Sequence, residues 1–588
     1  MITFDRSVTG TFLVAVIVIS LAVPLYAQNP FITGRVDPIT FGGGPGPENT
    51  LAAVIRSIEL GLRFVEVDVR LTSDGKLVLM HDPTIDRVAK TKGAITEMTF
   101  AEARRLDVGS SFVEATTLER PYAGERVATP AEVITLTRGK ATVLLDVKVP
   151  EAMKPVISVI DQANAFERVV FRVSDESAIG KLRAIDERAQ IVLTGPLPAD
   201  GLDTLLDRLK TFDLVAYTPD NWTTITSKMV EQFHDRQIAV WANGARELRE
   251  MAHVATTGVD ALFTETPTIL RQIVRDTKKN APLPPIGTLP TPIRIADVVG
   301  GHVHPAVCMT KGGAIIVVYN KAGGAGKELL LTRSTDRGST WSRPAGIPST
   351  TRCPVYPGSI RTLADGRILL TWTCYSDGNL QGPQLFAVSG DEGLTFGDPR
   401  SLGVSGFLRH PILELSKDRW LFPLRDQTVV YNTEAKSLSP FGDGRSHGRV
   451  PIVRTRKGTL ISGAIPGGLR STDNGVSWQP LHAFPRFHVA GYDLTALDDD
   501  SIVLTLIMSH GSRERSYHLV ASHDDGRTWN FSRAAEIYNP GRAIAGRGWP
   551  RTVQIDERTL GTVFYDLDAE QPGGPGLFVV RTPTSNLR

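Results

Sequence analysis

The sequence predicts two folds in series, a parallel (β/α)8 barrel and then an all-β propeller of six blades. Three observations lead there. Up to about residue 275, short β-branched runs alternate with amphipathic stretches; beyond about residue 293 helical periodicity nearly vanishes in favour of strands and tight turns; and a stretch with five prolines in fifteen residues divides the two textures. Alternating strand and helix patterns build a parallel sheet, because each crossover must return the chain to the same end. At 588 residues the chain is also too long for one hydrophobic core.

In the first half the strand-like runs are 64–69, 76–81, 141–147, 168–173, 190–194, 213–217, 237–242 and 261–264. Between several of them, stretches such as 49–61, 175–186 and 224–235 place apolar residues three and four apart, the spacing of a one-faced helix. Eight such runs over about 240 residues suit a closed barrel. A doubly wound open sheet is the competing fold, but no glycine-rich dinucleotide fingerprint opens a strand-to-helix turn. Proline fixes φ and removes donors, so residues 276–292 read as a stiff extended linker between a barrel at 33–275 and a propeller at 293–588.

The second half repeats one octapeptide four times: Ser334-Thr-Asp-Arg-Gly-Ser-Thr-Trp341, Ser389-Gly-Asp-Glu-Gly-Leu-Thr-Phe396, Ser471-Thr-Asp-Asn-Gly-Val-Ser-Trp478 and Ser522-His-Asp-Asp-Gly-Arg-Thr-Trp529. Their starts lie 55, 82 and 51 residues apart, so the middle gap holds one blade that has lost its copy. Strand, turn, strand patterns beginning near His304, Tyr356, His410, Pro451, Tyr492 and Pro550 bring the count to six.

Composition narrows the function classes. Hydrophobic residues at 41% and charged residues at 22% describe an ordinary globular protein, and a net charge of +2 with no long basic run argues against nucleic acid. Arg6, the apolar run 11–23 and Ala27 before Gln28 have the layout of a signal peptide over residues 1–27, which implies export to the periplasm or outside the cell. No later segment is long and apolar enough to span a membrane. Cys308, Cys353 and Cys374 are three, so in an oxidising compartment one pair can bridge and one is left over; their spacing fits no metal motif.

Three separated motifs mark the first domain: Gly42-Gly-Gly-Pro-Gly-Pro-Glu-Asn-Thr50, Val65-Glu-Val-Asp-Val-Arg70 running on to Met80-His-Asp-Pro83, and Leu144-Leu-Asp-Val-Lys148. With Gly258-Val-Asp-Ala-Leu-Phe-Thr-Glu-Thr-Pro267 they resemble, in order, the signature of the glycerophosphodiester phosphodiesterases. Glu66 and Asp68 sit two apart on a strand, so both face one side, here the barrel mouth. With Asp146 from another strand end they form a hard oxygen site for Mg²⁺ or Ca²⁺, the metal role the resemblance assigns to these positions. His81 ends a strand before a sharp Asp82-Pro83 turn, and the resemblance gives it the part of proton donor to the leaving alkoxide. Lys148, on the same side as Asp146, adds a point charge for phosphate.

One departure stands out. The family reads His-Arg-Gly where this chain reads Thr40-Phe41-Gly42, so Thr40 takes the place of the first catalytic histidine and Phe41 that of a phosphate-contacting arginine. A threonine hydroxyl takes no proton near pH 7 and phenylalanine binds no phosphate. The reading is a phosphoric diester hydrolase that releases glycerol phosphate and an alcohol, slowed by that loss. The alternatives are a silent phosphate- or glycan-binding protein, or an activity that resides in the propeller.

The octapeptides resemble the Asp-box of sialidase-type propellers, whose aspartate caps a hairpin turn; such repeats specify fold and not chemistry. A sialidase clamps its substrate with three arginines and uses a tyrosine nucleophile. Arg409, Arg449 and Arg551 at blade starts and Tyr565 in the last blade are the candidates, although Gly301-His-Val-His-Pro305 replaces the family's opening Arg-Ile-Pro segment. A glycan or cell-surface ligand is the partner this implies.

Overall fold

The computed structural model describes residues 29–112, 121–198, 201–277, 289–298, 303–320, 329–348, 355–376, 379–380, 382–424, 427–442, 451–463, 468–481, 489–510, 514–540, 549–568 and 573–587. The signal-peptide expectation, most of the proline-rich connector, Cys353 and Arg449 lie outside the described residues.

The first domain contains β1 (Asp37–Thr40), β2 (Phe64–Leu71), β3 (Leu77–Leu79), β4 (Thr142–Val147), β5 (Val169–Val173), β6 (Gln190–Gly195), β7 (Ala216–Pro219), β8 (Ala239–Ala242) and β9 (Ala261–Phe263). The sheet runs β1-β9-β8-β7-β6-β5-β4-β2, and β1 pairs with β2 to close an eight-stranded parallel barrel. Around it lie α1 (Leu51–Glu59), α2 (Pro130–Leu136), α3 (Met153–Gln162), α4 (Glu176–Ile185), α5 (Leu202–Lys210), α6 (Ser227–His234), α7 (Leu248–Ala255) and α8 (Pro267–Thr277).

Strand alternation explains the continuous apolar runs. Ile39, Phe64, Leu144, Val170, Val192, Ala216, Trp241 and Phe263 fill the barrel interior. Their neighbours Val65, Val67, Val143, Leu145, Phe171, Ile191 and Val240 pack outward under the helices. Both faces are buried, so neither needs polar residues until the strand ends. Helix starts are set locally: the Thr50 hydroxyl caps α1 by accepting from the Ala53 amide at 3.3 Å, and Thr129 with Glu132 forms a capping box at α2.

One sequence-predicted run is reassigned, and one barrel strand lies outside the predicted runs. Residues 76–81 do not form a barrel strand: β3 folds back antiparallel on β2 through the Asp74-Gly75 turn, where Gly75 has φ +70°. The eighth barrel strand is instead β1, four residues long with a proline inside it, too short to show a β pattern.

The second domain consists of six small antiparallel sheets arranged as a six-bladed propeller. The innermost strands begin at Ala306, Val355, Leu413, Ile452, Val489 and Arg551, within a few residues of the expected blade starts. Ile293–Asp297, the first strand of the domain, pairs antiparallel with Gly576–Pro583 and so joins the last blade, which closes the ring. The octapeptides make the turn between third and fourth strands of blades one, two, four and five. In the first, Ser334 donates to Asp336 at 2.8 Å, and Asp336 accepts from the Thr340 amide at 2.8 Å and its hydroxyl at 2.6 Å. Arg337 and Gly338 are both left-handed, at φ +59° and +83°, which is why glycine recurs there. Blades three and six carry no copy; in blade three Asn432 makes a shorter turn, its side chain accepting from the Glu434 and Ala435 amides at 3.0 and 2.8 Å.

The two domains share one apolar cluster, in which Leu248, Met251 and Leu270 of the barrel lie with Phe531 and Ala534 of the propeller. Beside it Glu247, at the start of α7, accepts from Ser516 at 2.8 Å, His518 at 2.7 Å and Asn539 at 3.1 Å. Cys374 is disulfide-bonded and Cys308 is a buried free thiol. No helix among the described residues is long and apolar enough to cross a membrane.

Candidate active site

The alternation that buries Phe64 also turns Glu66 and Asp68 into the barrel, at 2% and 3% exposure, and register pairs Asp68 with Asp146 on β4. Ligand oxygens of Glu66, Asp68 and Asp146 lie within 4.8 Å of one another. Each is held. The Gly42 amide donates to Glu66 Oε2 at 2.9 Å, and Gly42 has φ +56° with room for no Cβ, since one would stand 2.7 Å from the Glu48 side chain. Asn49, itself at φ +58°, donates to Asp68 Oδ2 and accepts from the Asp68 amide, both at 2.9 Å. The 42–50 loop is therefore a brace for two carboxylates.

Lys148 Nζ lies 2.8 Å from Asp68 Oδ1 and 2.7 Å from Asp146 Oδ2. Burial opposes its charge, but the carboxylates of Asp68 and Asp146 hold its pKa above the ordinary lysine value. The Glu66 pKa is raised as well, which for an acid favours the neutral form: burial, then the Asp68 charge, push it well above the ordinary glutamate value, despite the Gly42 hydrogen bond. The raised Glu66 pKa is the mark of carboxylates crowded together in a buried place, where Lys148 meets only Asp68 and Asp146. An all-oxygen donor set of that kind fits a hard divalent cation.

His81 is half exposed at the rim, and its Nδ1 meets Asp82 at 2.7 Å. Asp82 accepts from Arg87 Nε at 2.7 Å, and Arg87 continues to Glu48. The Arg87 hydrogen bond holds the Asp82 carboxyl down at about 2. Arg70 donates twice to the His81 carbonyl, at 3.0 and 2.7 Å, which fixes the backbone beneath the ring. With Nδ1 occupied, Nε2 is the nitrogen left for a substrate.

Of the motif's two changed positions, only one faces the site. Thr40 pairs with outward-facing Val65, is 2% exposed, and its hydroxyl lies 3.4 Å from Ser57 of α1, behind the barrel wall. Phe41 is the residue that turns into the mouth: it is 39% exposed and stacks on Phe263 at 5.2 Å, lining a cleft with Asn243, Arg246 and Thr264. The sequence registers the loss, but only the pleat shows which side chain faces the carboxylates.

Among residues not singled out from sequence, Asn49 and Gly42 lay inside a quoted motif without an assigned role. Arg172 on β5 was missed; its side chain, 18% exposed, has Nη1 3.7 Å from Asp146 Oδ2. Its signal was a charge two residues past interior Val170.

The propeller candidates separate. Arg551 is buried, 3.3 Å from both Asp493 and His410, and donates to the Arg409 carbonyl. Arg409 stands over Trp549 at 5.2 Å. Tyr565 is 1% exposed inside an apolar cluster with Val563 and Leu577.

Fold and site together define a class: a closed parallel barrel whose strand ends present an oxygen-donor acidic cluster, a lysine and a rim histidine, a composition suited to phosphate esters. Residues 42–269 match the glycerophosphoryl diester phosphodiesterase family, and the barrel belongs to it. The Caldanaerobacter subterraneus protein named glycerophosphodiester phosphodiesterase is 29% identical over 239 residues, 39% of this chain and 93% of that one. Mouse glycerophosphodiester phosphodiesterase 1 is 38% identical over 117 residues, 19% of this chain and 34% of the mouse protein. A crystal structure of glycerophosphodiester phosphodiesterase from Agrobacterium tumefaciens aligns at 20% identity over 40% of this chain and 98% of that chain, with TM-score 0.34.

Proposed function

We propose that the barrel is a divalent-metal-dependent phosphodiesterase that hydrolyses glycerophosphodiesters to glycerol phosphate and an alcohol. The observation that supports this most is the buried trio Glu66, Asp68 and Asp146, braced from the 42–50 loop. These carboxylates would hold Mg²⁺ or Ca²⁺, which when bound polarises a phosphoryl oxygen and offsets charge on the phosphate. Lys148 sits among them and adds a positive charge beside the phosphate. Water attacks phosphorus and gives up its proton to solvent, the bond to the leaving oxygen breaks, and the departing alkoxide takes the proton from Nε2 of protonated His81. Asp82 on Nδ1 steadies that imidazolium, and Arg87 keeps Asp82 ionised.

The mouth holds Phe41 where an acid/base side chain would reach the cluster, so position 41 gives the attacking water no assistance. That loss is worth roughly 10²–10⁴-fold in rate, and the proposed enzyme is slow. A second reading, a domain that binds phosphate esters without turnover, is favoured by the same residue. We further propose that the protein works outside the cytoplasm, supported by the apolar run at 11–23 and the bridged Cys374. The propeller is proposed to bind a glycan or surface ligand at the end where Arg409, Arg551 and Trp549 meet.

The test is hydrolysis of glycerophosphocholine by the purified chain with Mg²⁺ or Ca²⁺, beside His81→Ala. Cleavage by wild type that is lost in His81→Ala supports the enzyme. Metal and phosphate binding with no cleavage supports the silent domain.

A further inference from the structure

We propose that Arg172 is the phosphate-binding guanidinium of this site, a contact supplied from β5 in place of the arginine absent from the motif at Phe41. This deepens the phosphodiester reading and rests on it for the chemical class of ligand, a phosphate ester anion.

The argument begins with strand geometry. Val170 lies in the barrel interior, so Arg172, two residues on, projects to the same side at the mouth, and register sets it opposite Asp146. Its guanidinium stands 4.9 Å over the ring of Phe263, and Phe263 in turn stacks on Phe41 at 5.2 Å. The aromatic side chain at the motif's arginine position is thus part of the shelf that carries an arginine from another strand.

The charge of Arg172 is not consumed within the protein. Its approach to Asp146, 3.7 Å, is an ion-pair distance without a hydrogen bond, whereas Lys148 already lies 2.7 Å from that carboxylate. Among the described residues the Arg172 guanidinium makes no hydrogen bond, in contrast to Arg70 and Arg87, which are both committed at the rim. A largely buried planar fork with unmet N–H donors, next to a cluster suited to a cation, matches the two oxygens of a phosphate ester. Stacking on Phe263 limits its rotamers, so less entropy is lost when the anion binds.

The experiment titrates inorganic phosphate into the full-length chain with saturating Mg²⁺ by calorimetry, and separately titrates Mg²⁺ without phosphate. Wild type is compared with Arg172→Ala, Arg172→Lys and Arg172→Gln, the last keeping the stem if alanine fails to fold. Loss of charge-assisted hydrogen bonds is expected to weaken phosphate binding roughly 10- to 100-fold in the alanine and glutamine variants. Lysine should restore only part of it, because a point charge lacks the fork, while Mg²⁺ affinity stays within about threefold in all. Phosphate affinity unchanged in the variants, no phosphate binding by wild type, or a fall that tracks an equal fall in Mg²⁺ affinity would overturn the assignment. Phosphate binding that depends on Arg172 in a protein that cleaves no diester leaves the assignment standing and sinks the enzyme. Diester cleavage at unaltered KM in Arg172→Ala does the reverse.

Discussion

Replacing Phe41 by histidine should raise diester turnover, and replacing Thr40 should not. Thr40 pairs with Val65, which packs outside the barrel, and the next residue, Phe41, turns into the mouth and stacks on Phe263. An imidazole there reaches the carboxylate cluster and can take a proton from an attacking water. General acid/base assistance of that kind is worth about 10²–10⁴-fold, or about 3–5 kcal/mol of barrel-mouth transition-state stabilisation. The change forfeits the Phe41–Phe263 stack, a loss of about 0.5–1.5 kcal/mol that falls mainly on stability. At position 40 the balance inverts. The site is 2% exposed and faces Ser57, so a larger ring overpacks it at a cost of about 1–3 kcal/mol and meets no substrate. The assay is kcat for glycerol phosphate release from glycerophosphocholine under saturating Mg²⁺, with Phe41→Ala as the control for merely opening the mouth. A gain in Thr40→His without one in Phe41→His would refute the reasoning, as would an equal gain in Phe41→Ala.

Three further outcomes are expected. Asn49→Ala removes both hydrogen bonds to Asp68 and places alanine at φ +58°; it should cost about 1–3 kcal/mol in denaturant unfolding and weaken Mg²⁺ binding, and an unchanged Mg²⁺ affinity would show that Asn49 does not orient Asp68. Because burial raises the folded pKa of Glu66, its contribution to stability is complete below the ordinary glutamate pKa and is lost as pH rises through the folded value. The metal-free protein should therefore melt at lower temperature as pH climbs from that range, and excess Mg²⁺ should flatten the slope; a flat profile without metal contradicts it. Glu247→Ala leaves Ser516, His518 and Asn539 without their shared acceptor; a loss of about 1–3 kcal/mol should split one calorimetric transition into separate barrel and propeller transitions, and a single unshifted transition would show that the contact does not couple them.

The two folds were legible because each rests on repetition. A β/α alternation and a turn octapeptide are short-range signals, and the parallel barrel and the propeller follow from repeating them. Individual strands were less so. The run at 76–81 looked like any barrel strand, and only the Asp74-Gly75 turn sends it antiparallel, while β1 is too short to show a period. At the site, Glu66, Asp68, Asp146 and Lys148 were visible as residue types with the right spacing, and the structure brings all four together. Arg172 was not, since a lone charge at a strand end reads as solvated until the aromatic beneath it is known. The orientation of Thr40 and Phe41 also escaped, because a one-residue difference decides which face of the wall a side chain takes.

The proposed role of Glu66, Asp68 and Asp146 is to hold the divalent cation that hydrolysis of a glycerophosphodiester requires. It is tested most directly by following glycerol phosphate release from glycerophosphocholine as Mg²⁺ or Ca²⁺ is titrated into metal-free protein, beside Asp68→Asn. Activity should rise from zero to saturation with the cation in wild type, and the variant should need far more cation or stay silent. Cleavage that persists in chelator, or an unshifted titration in Asp68→Asn, would contradict it.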